Sequence, residues 1–217
     1  MMSITFRNKS CKGEGTVGNI KIERYKESDF IEVIALLVSS FNSKFTYKQS
    51  LSNKVIEDVL YSVWEIKEED PSYLHLVAKD GEKVVGVILV RLYKSKKEIK
   101  RVSFIKLCKK YGVFNVVFLM LKLWILDKIT LEECYIEHIA VAESMRGRGV
   151  GELLINVAEK YIKNIGFDSV SLIVAEGNKA KKLYHKKGFK DVDMISSYLK
   201  YYFIGIKKWM FMRKYLV

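Results

Sequence analysis

Residues 146–151 read Arg-Gly-Arg-Gly-Val-Gly and join a strand-like stretch to a helix-like one. Alternating glycines let a backbone turn sharply and bring its N–H groups close to a ligand. The first turn of a helix offers unpaired N–H groups and a partial positive charge, and both favour phosphate. Arg146 and Arg148 add positive charge at the same place. The segment therefore predicts a cradle for a pyrophosphate group.

Two familiar phosphate-binding loops do not fit Gly147, Gly149 and Gly151. A dinucleotide fingerprint reads G-x-G-x-x-G, but the residue three places after Gly149 is Glu152. A nucleoside-triphosphate loop ends in Gly-Lys followed by Ser or Thr, and this ending is absent. The cradle must serve another phosphate-containing ligand.

Two strands and two helices must position this cradle. YIEHIAV at 135–141 predicts the strand that leads into it, and apolar residues at steps of three and four predict a helix over 150–165. SVSLIVA at 169–175 is apolar enough for a strand buried in a parallel pairing. Asn178 then offers a cap for a short helix, which Gly188 ends.

Strands and helices are also predicted on both sides of this unit. Apolar patterns of strand type occupy 20–25, 73–80, 83–93 and 208–216. Helical spacing follows a possible cap at Ser28-Asp29, continues across 50–66, and returns in two parts across 96–130, one basic and one apolar.

This order of elements predicts an α+β (mixed α/β) fold around one sheet, with its parallel part near 135–175. The single proline, Pro71, leaves no proline-rich linker to divide the chain. We expect a loose arm at 1–19, followed by a single domain at 20–217 that carries a helical insertion at 96–130.

The motif Arg-x-x-Gly-x-Gly at 146–151 resembles the acyl-CoA-binding motif of the GNAT N-acetyltransferases. Ile139-Ala140-Val141 is similar to the strand that lies beside the pantetheine arm of the cofactor in that family. The run Asn178-x-Ala180-x-x-Leu183-Tyr184-x-x-x-Gly188-Phe189 resembles a further family signature at the right distance. The specific match covers 135–189.

The resemblance implies a central mixed sheet in which the strands at 135–141 and 169–175 splay apart around acetyl-CoA. The backbone amides from Arg148 to Glu152 would hold the pyrophosphate, and Tyr184 matches a tyrosine that often protonates the departing thiolate. The residues expected around the cofactor are Ile139, Ala140, Val141, Arg146, Gly147, Arg148, Gly149, Val150, Gly151, Glu152 and Asn178.

Glu137 is the candidate general base. Strict alternation along the strand places it on the same face as Ile139 and Val141, and His138 on the other. If Ile139 and Val141 border the cofactor, Glu137 is the nearest carboxylate on that face and can accept a proton directly or through water. Glu137 as a structural partner of a lysine, and Tyr184 as a core tyrosine, remain open alternatives.

The chain has 38 Lys and Arg residues against 25 Asp and Glu residues, a formal charge of +13. Such a balance attracts anions without choosing among them. A basic motif interleaved with aromatic residues is absent, so nucleic acid is not expected as a partner. The three cysteines form no CxxC pair, so we expect no metal.

A membrane-spanning segment is not expected either. The most apolar stretch, at 113–126, is interrupted by Asn115 and Lys122 and falls short of the ~20 residues that a spanning helix needs. The N-terminal residues lack the apolar run of a signal peptide, which predicts a cytoplasmic protein. The insertion is interpreted first as a wall or lid of the acceptor pocket, then as the contact of a homodimer, and last as a surface that rests on a membrane.

These patterns predict an enzyme that transfers an acetyl group from acetyl-CoA to a primary amine of a small molecule or a peptide N-terminus. The alternative is a module of the same fold that binds acyl-CoA as a sensor, without turnover. The presence of both Tyr184 and Glu137 favours the enzyme.

Overall fold

The computed structural model describes residues 18–64, 67–68, 70–92, 104–127 and 134–216. The predicted arm at 1–19, apart from its last two residues, and residues 96–103 of the insertion lie outside these ranges. Seven strands and seven α-helices form within the described residues.

The strands are β1 Ile20–Arg24, β2 Tyr73–Asp80, β3 Lys83–Arg91, β4 Tyr135–Val141, β5 Ser169–Ala175, β6 Lys190–Ser196 and β7 Lys208–Tyr215. The helices are α1 Phe30–Thr46, α2 Asn53–Val63, α3 Phe104–Tyr111, α4 Val113–Asp127, α5 Val150–Asn164, α6 Lys181–Lys186 and α7 Tyr198–Ile204. The patterns predicted neither β6 nor α7, and helix α2 is shorter than the predicted range 50–66 because it starts after the N-cap Ser52.

The strands form one sheet in the order β1-β2-β3-β4-β5-β7-β6. All neighbouring pairs are antiparallel except β4 and β5, which run parallel. Strands β4 and β5 pair only at Tyr135–Ser171 and Ile136–Leu172, so they separate beyond these residues. This mixed sheet with splayed parallel strands and flanking helices confirms the predicted fold class.

Helices cover both faces of the sheet. Because successive strand residues point to opposite faces, Ile88 of β3 packs in the cluster that contains Leu154 of α5. Val87 belongs to the opposite cluster, together with Leu37 of α1 and Ala140 of β4. Strand β4 is therefore held between α5 on one face and α1 on the other.

Helix α4, the described apolar part of the insertion, packs on the face that carries α1. Leu119 joins a cluster with residues of α1 and α2, and Ile125 packs with Ala175 of β5 and Trp209 of β7. The opposite side of α4 exposes Phe114 and several other apolar residues: Val113, Val117, Leu121 and Trp124. A homodimer through this side stays a prediction. None of the described helices combines the length and apolarity needed to cross a membrane.

Lys122 fixes α4 to the end of α1 from a fully buried position. Its ammonium donates to the carbonyl oxygens of Phe45 and Tyr47, each at 2.6 Å, and to Oε1 of Gln49 at 3.2 Å. The last carbonyls of a helix lack helical partners and carry partial negative charge, so a cation is favoured there. Burial lowers the pKa of Lys122 to about 8.

We expect Lys122→Met to lower the free energy of unfolding by about 1–3 kcal/mol, because buried carbonyl oxygens then lose their donor. Urea denaturation at pH 7 measures this loss, with the exposed Lys160→Met as control.

The pH dependence of the unfolding free energy adds a second readout, because Lys122 has different pKa values in the folded and the unfolded chain. The unfolded chain keeps the Lys122 proton up to pH 10.5 and the folded chain loses it near pH 8. The stability of the wild type relative to Lys122→Met should therefore rise between these values. Equal unfolding free energies at pH 7 would contradict the anchoring role.

Candidate active site

The predicted cradle forms the connection between β4 and α5. A short 3-10 turn at Glu143–Met145 follows β4, and residues 146–149 are exposed before α5 begins at Val150. Gly147 and Gly149 have φ angles of 76° and 83°, a left-handed conformation that glycine adopts at little cost. Gly149 is the N-cap and offers no side chain to the first-turn N–H groups. The helix N-terminus is thus left open for an external acceptor of hydrogen bonds.

Gly151 has a different role from the two glycines before it. A Cβ atom at this position would lie 3.2 Å from Cδ2 of Leu183 and 3.7 Å from Cγ2 of Val141. Its missing side chain therefore lets the start of α5, the end of β4 and α6 pack closely together. The sequence pattern alone did not separate this packing role from ligand approach.

The cradle is surrounded by cationic groups. Arg146 Nε donates to the carbonyl oxygen of Val141 at 3.2 Å, and Arg148 is exposed. The end of helix α6 adds the ammonium groups of Lys186 and of the C-cap residue Lys187, which lie 2.8 Å and 3.9 Å from the carboxylate of Glu152. The hydrogen bond from Lys186 lowers the pKa of Glu152. These two lysines were not predicted, because only the packing of α6 beside α5 brings them here.

Tyr135 closes the narrow end of the gap between β4 and β5. Its hydroxyl oxygen accepts a hydrogen bond from the backbone N–H of Ile173, the first β5 residue beyond the last ladder pair. The separation of the strands would otherwise leave this buried N–H without a strand partner. Burial, with a smaller contribution from Glu137, raises the pKa of Tyr135.

Glu137 forms a bulge in β4. Ile136 pairs with Val90 and His138 with the adjacent Leu89, so Glu137 has no partner residue on β3. A bulge adds one residue and interrupts the alternation of faces. Ile136 and Ile139 accordingly both pack in the α5-side cluster. The expectation that Glu137 shares a face with Ile139 by simple alternation was therefore wrong.

The Glu137 side chain lies beside Tyr135. Its Oε1 atom is 3.6 Å from Nη1 of Arg91, whose guanidinium lies 5.5 Å from the centroid of the Tyr135 ring. The ring of His138 lies 5.8 Å from that of Trp64 and 6.2 Å from that of His75, so His138 packs on the face predicted to lie opposite Ile139. Glu137 thus lies near the point where β4 and β5 separate.

Tyr184 is buried on the short helix α6. Its ring lies 6.0 Å from that of Phe189, and its carbonyl oxygen accepts a hydrogen bond from the N–H of Phe189 at 3.0 Å after the left-handed Gly188. Burial raises the pKa of Tyr184 to about 12, so the phenol stays protonated at neutral pH. Tyr184 is also close enough to Tyr135 to contribute to the raised pKa of that residue.

Asn178 initiates the turn before α6 with its side chain. Its Oδ1 accepts a hydrogen bond from the N–H of Ala180 at 2.9 Å, and the helix begins at Lys181. The N-cap of α6 is Ala180, which makes no side-chain cap hydrogen bond, so the prediction that Asn178 caps the helix itself was wrong. Asn178 instead stabilises the turn that leads into the helix. The exposed Asn178 makes no contact that tests its predicted place near the cofactor.

The predicted residues thus fall into two groups joined by β4. Gly147, Gly149 and the first turn of α5 lie at the open end of the gap, and Tyr184 and Glu137 lie toward its narrow end. Between them, Ile139 and Val141 are half-buried on the α5 side, whereas Ala140 is buried on the α1 side. The sequence reasoning missed Arg91 and the role of Tyr135, which depend on strand register. The described residues contain no cluster of three or more His, Cys, Asp or Glu side chains that could hold a metal ion.

A family described as "Acetyltransferase (GNAT) family" matches residues 34–189. This chain therefore belongs to the GNAT acetyltransferases. The match includes both ends of the gap: the cradle and Tyr184.

Two curated relatives share part of this region. The [ribosomal protein bS18]-alanine N-acetyltransferase of Haemophilus influenzae is 35% identical over 68 residues, which cover 31% of this chain and 47% of the relative. The uncharacterized N-acetyltransferase MJ1207 of Methanocaldococcus jannaschii is 36% identical over 78 residues, which cover 36% of this chain and 34% of the relative. The matches thus span half or less of each relative.

Solved structures share the fold over most of the chain. The ribosomal-protein-S18-alanine N-acetyltransferase of Escherichia coli has a TM-score of 0.53 at 13% identity and covers 91% of this chain and 94% of its own. The PaiA N-acetyltransferase of Thermoplasma acidophilum, in complex with coenzyme A, has a TM-score of 0.54 at 15% identity. The match covers 90% of this chain and 98% of that protein's chain. Identities this low show a common fold alone.

Proposed function

We propose that this protein is an acetyl-CoA-dependent N-acetyltransferase that acts on the primary amine of a small molecule or a peptide N-terminus. The observation that carries the proposal is the gap between β4 and β5, which joins an open helix N-terminus to a buried phenol and a carboxylate. Family membership and the relatives named as N-acetyltransferases support the same reaction. The substrate of the Haemophilus relative, an alanine of a ribosomal protein, makes a peptide acceptor a reasonable test case.

The residues present fit acetyl-CoA. First-turn amides of α5, from Arg148 to Glu152, suit the pyrophosphate, because Gly147 and Gly149 keep side chains away from them. Arg146 and Arg148 supply positive charge. The edge of β4 along Ile139–Val141 has no β5 residue paired with it, so its backbone groups can pair with the amide-containing arm of the substrate.

The chemistry requires two proton movements at the narrow end of the gap. As the amine nitrogen bonds to the acyl carbon and the carbon–sulfur bond breaks, the nitrogen loses a proton and the thiolate gains one. Tyr184 stays protonated at neutral pH and is the proposed donor to the thiolate. Glu137 is the proposed acceptor of the amine proton, directly or through water. Arg91 positions Glu137 through their ion pair.

The alternative function is a sensor that binds acyl-CoA without turnover. The sensor and the enzyme share the cradle and the gap, so ligand binding does not separate them. Release of free thiol in the presence of an amine distinguishes the two. The protonated, buried Tyr184 beside the gap favours the enzyme.

We expect Gly149→Val to weaken acetyl-CoA binding about 10- to 100-fold, because a side chain with left-handed φ strains the turn and crowds the pyrophosphate amides. Isothermal titration calorimetry on the folded variant measures the affinity. Gly166→Val is a matched control, since Gly166 has φ 93° after the other end of α5 and open space around its Cβ position. Equal affinities in wild type and Gly149→Val would place acetyl-CoA elsewhere.

We expect Tyr184→Phe to lower kcat toward the lower end of the ~10²- to 10⁴-fold range of general acid catalysis, because water can partly replace the phenol. The affinity for acetyl-CoA should change little. Thiol release under saturating substrates measures kcat, and Tyr161→Phe on the far part of α5 is the control. Full turnover in Tyr184→Phe, with chemistry rate-limiting, would assign this tyrosine to the core.

We expect Glu137→Gln to lower kcat/KM most at low pH, where the acceptor amine is mostly protonated and depends on a base. A pH–rate profile from 6 to about 9.5 measures this, because at high pH more amine is neutral before it binds. A thermal melt checks that the broken ion pair with Arg91 has not unfolded the variant. A loss of the same size at every pH would make Glu137 a positioning residue rather than a base.

A further inference from the structure

Two lysine side chains lie close to the indole ring of Trp209. Lys44 extends from the last turn of α1 and Lys200 from the first turn of α7. Their ammonium nitrogens lie 5.4 Å and 4.8 Å from the centroid of the indole ring, and that of Lys44 is also 4.5 Å from the centroid of Phe41. Trp209 itself is buried. Three separate elements thus build a compact cationic and aromatic cluster.

The two ammonium groups have no carboxylate partner among the described residues. Aromatic faces oppose their charge, and Lys44 also stands in the last turn of α1, where the helix end favours a cation. A cation over an aromatic ring gains roughly 0.5–2 kcal/mol, which is modest against the removal of two like charges from water. Burial, followed by the charge of Lys200, lowers the pKa of Lys44 to about 8. Burial also lowers the pKa of Lys200. An anion close to both groups would offset their mutual repulsion and part of the cost of burying their charges.

This cluster lies beside the gap between β4 and β5, on the face opposite α5. Trp209 pairs with Ala175, the last residue of β5, and packs with Ile173 and with Ile125 of α4. Ile173 is the residue whose N–H binds Tyr135 at the narrow end of the gap. The path from Ile173 to Trp209 runs two residues along β5, which is about 7 Å, and then one strand across to β7, which is about 5 Å. The Cα atoms of Ile173 and Trp209 are therefore on the order of 10 Å apart, which places the indole ring and the two ammonium groups beside it in the neighbourhood of the gap.

We propose that Lys44 and Lys200 form an anion-binding subsite of the acceptor pocket, and that the acceptor carries a carboxylate or phosphate group as well as its amine. The inference rests on the proposed acetyltransferase function and names the substrate class for it. Helices α1 and α7 supply one charge each, so the subsite exists only when both helices pack against β7. The negative group fixes one end of the acceptor and directs the amine toward the gap.

Two pairs of acceptors test the subsite by kinetics. Phosphoethanolamine is compared with ethanolamine, and the dipeptide amide Ala-Glu-NH₂ with the neutral Ala-Gln-NH₂. We expect the wild type to prefer the anionic member of at least one pair; which pair shows the preference separates phosphate from carboxylate. Lys44→Met and Lys200→Met should each lower kcat/KM for that acceptor about 10- to 100-fold, the usual worth of a hydrogen bond to a charged group. The value of kcat/KM for the neutral member of the pair should change less than about twofold.

Lys48→Met and Lys207→Met are matched controls. Lys48 lies 4.0 Å from the ring centroid of Tyr202, and Lys207 lies 4.4 Å from that of Tyr198. Both are exposed lysines over aromatic rings on the same side of the protein, outside the pair over Trp209. These two substitutions should leave kcat/KM unchanged for both members of each acceptor pair. An equal loss in all four variants would mean a general effect of surface charge and would overturn the subsite.

Calorimetry supplies a readout that does not need turnover. Phosphoethanolamine and Ala-Glu-NH₂ are titrated into wild type in excess coenzyme A, which occupies the cradle. We expect binding of at least one of them that Lys44→Met abolishes and Lys48→Met retains. Absence of such lysine-dependent binding would overturn the subsite. Acetyl-CoA is titrated into the wild type in a separate experiment. If acetyl-CoA does not bind, the proposed function itself is wrong, and this outcome is distinct from failure of the subsite. Lys200→Gln, on the partly exposed α7, provides a second variant if Lys44→Met does not fold.

Discussion

The separation of β4 from β5 after two ladder pairs is the constraint on which the rest of the structure depends. Parallel strands in a sheet interior normally pair along their length, because buried N–H and C=O groups without partners destabilise the fold. Two features maintain the separation here. Glu137 adds a residue that bends β4, and the Tyr135 hydroxyl accepts the hydrogen bond from Ile173 that a strand would otherwise take. The gap is thus built into the fold and does not require the ligand to open it.

The position of the cradle follows from this separation. Strand β4 leads through a short connection into α5, so the helix N-terminus stands at the end of the same gap. Gly151 then lets α6 approach, and α6 carries both Tyr184 and the lysines that surround Glu152. One strand–helix junction therefore sets the distance between the proposed phosphate-binding end and the proposed proton-transfer end of the gap. Groups that act on one extended substrate need this kind of rigid spacing.

Under the proposed function, the face opposite α5 is the side from which the amine reaches the gap. Helix α4 covers part of it, held by the buried Lys122 at the end of α1. The same end of α1 carries Lys44, whose ammonium group lies beside the Trp209 indole together with that of Lys200. The insertion and the connection between β6 and β7 therefore shape the acceptor side together. An acceptor with an anionic group explains why two cations are placed there without a carboxylate between them.

The sequence by itself determined the features that depend on residues close together in the chain. The glycine connection, the amphipathic helix α5, strand β5 and the short helix α6 were all predicted within a few residues, since turn chemistry and apolar period are local properties. Strand β6 was missed although Val192 and Met194 alternate with Asp191 and Asp193, because the run is short and nearly all its side chains are exposed, so the alternation marks no buried face. Helix α7 is short, and its tyrosines gave no clear helical stripe.

Only the tertiary structure decided how distant residues meet. The bulge at Glu137 results from the register of β4 against β3, and that register is set by packing on both faces of the sheet rather than by the strand's own residues. The contact of Tyr135 with Ile173, the anchoring of α4 by Lys122 and the pair formed by Lys44 and Lys200 likewise join segments far apart in the chain. A charge or a phenol has no partner until the chain has folded, and for that reason its chemistry could not be deduced from its position in the sequence.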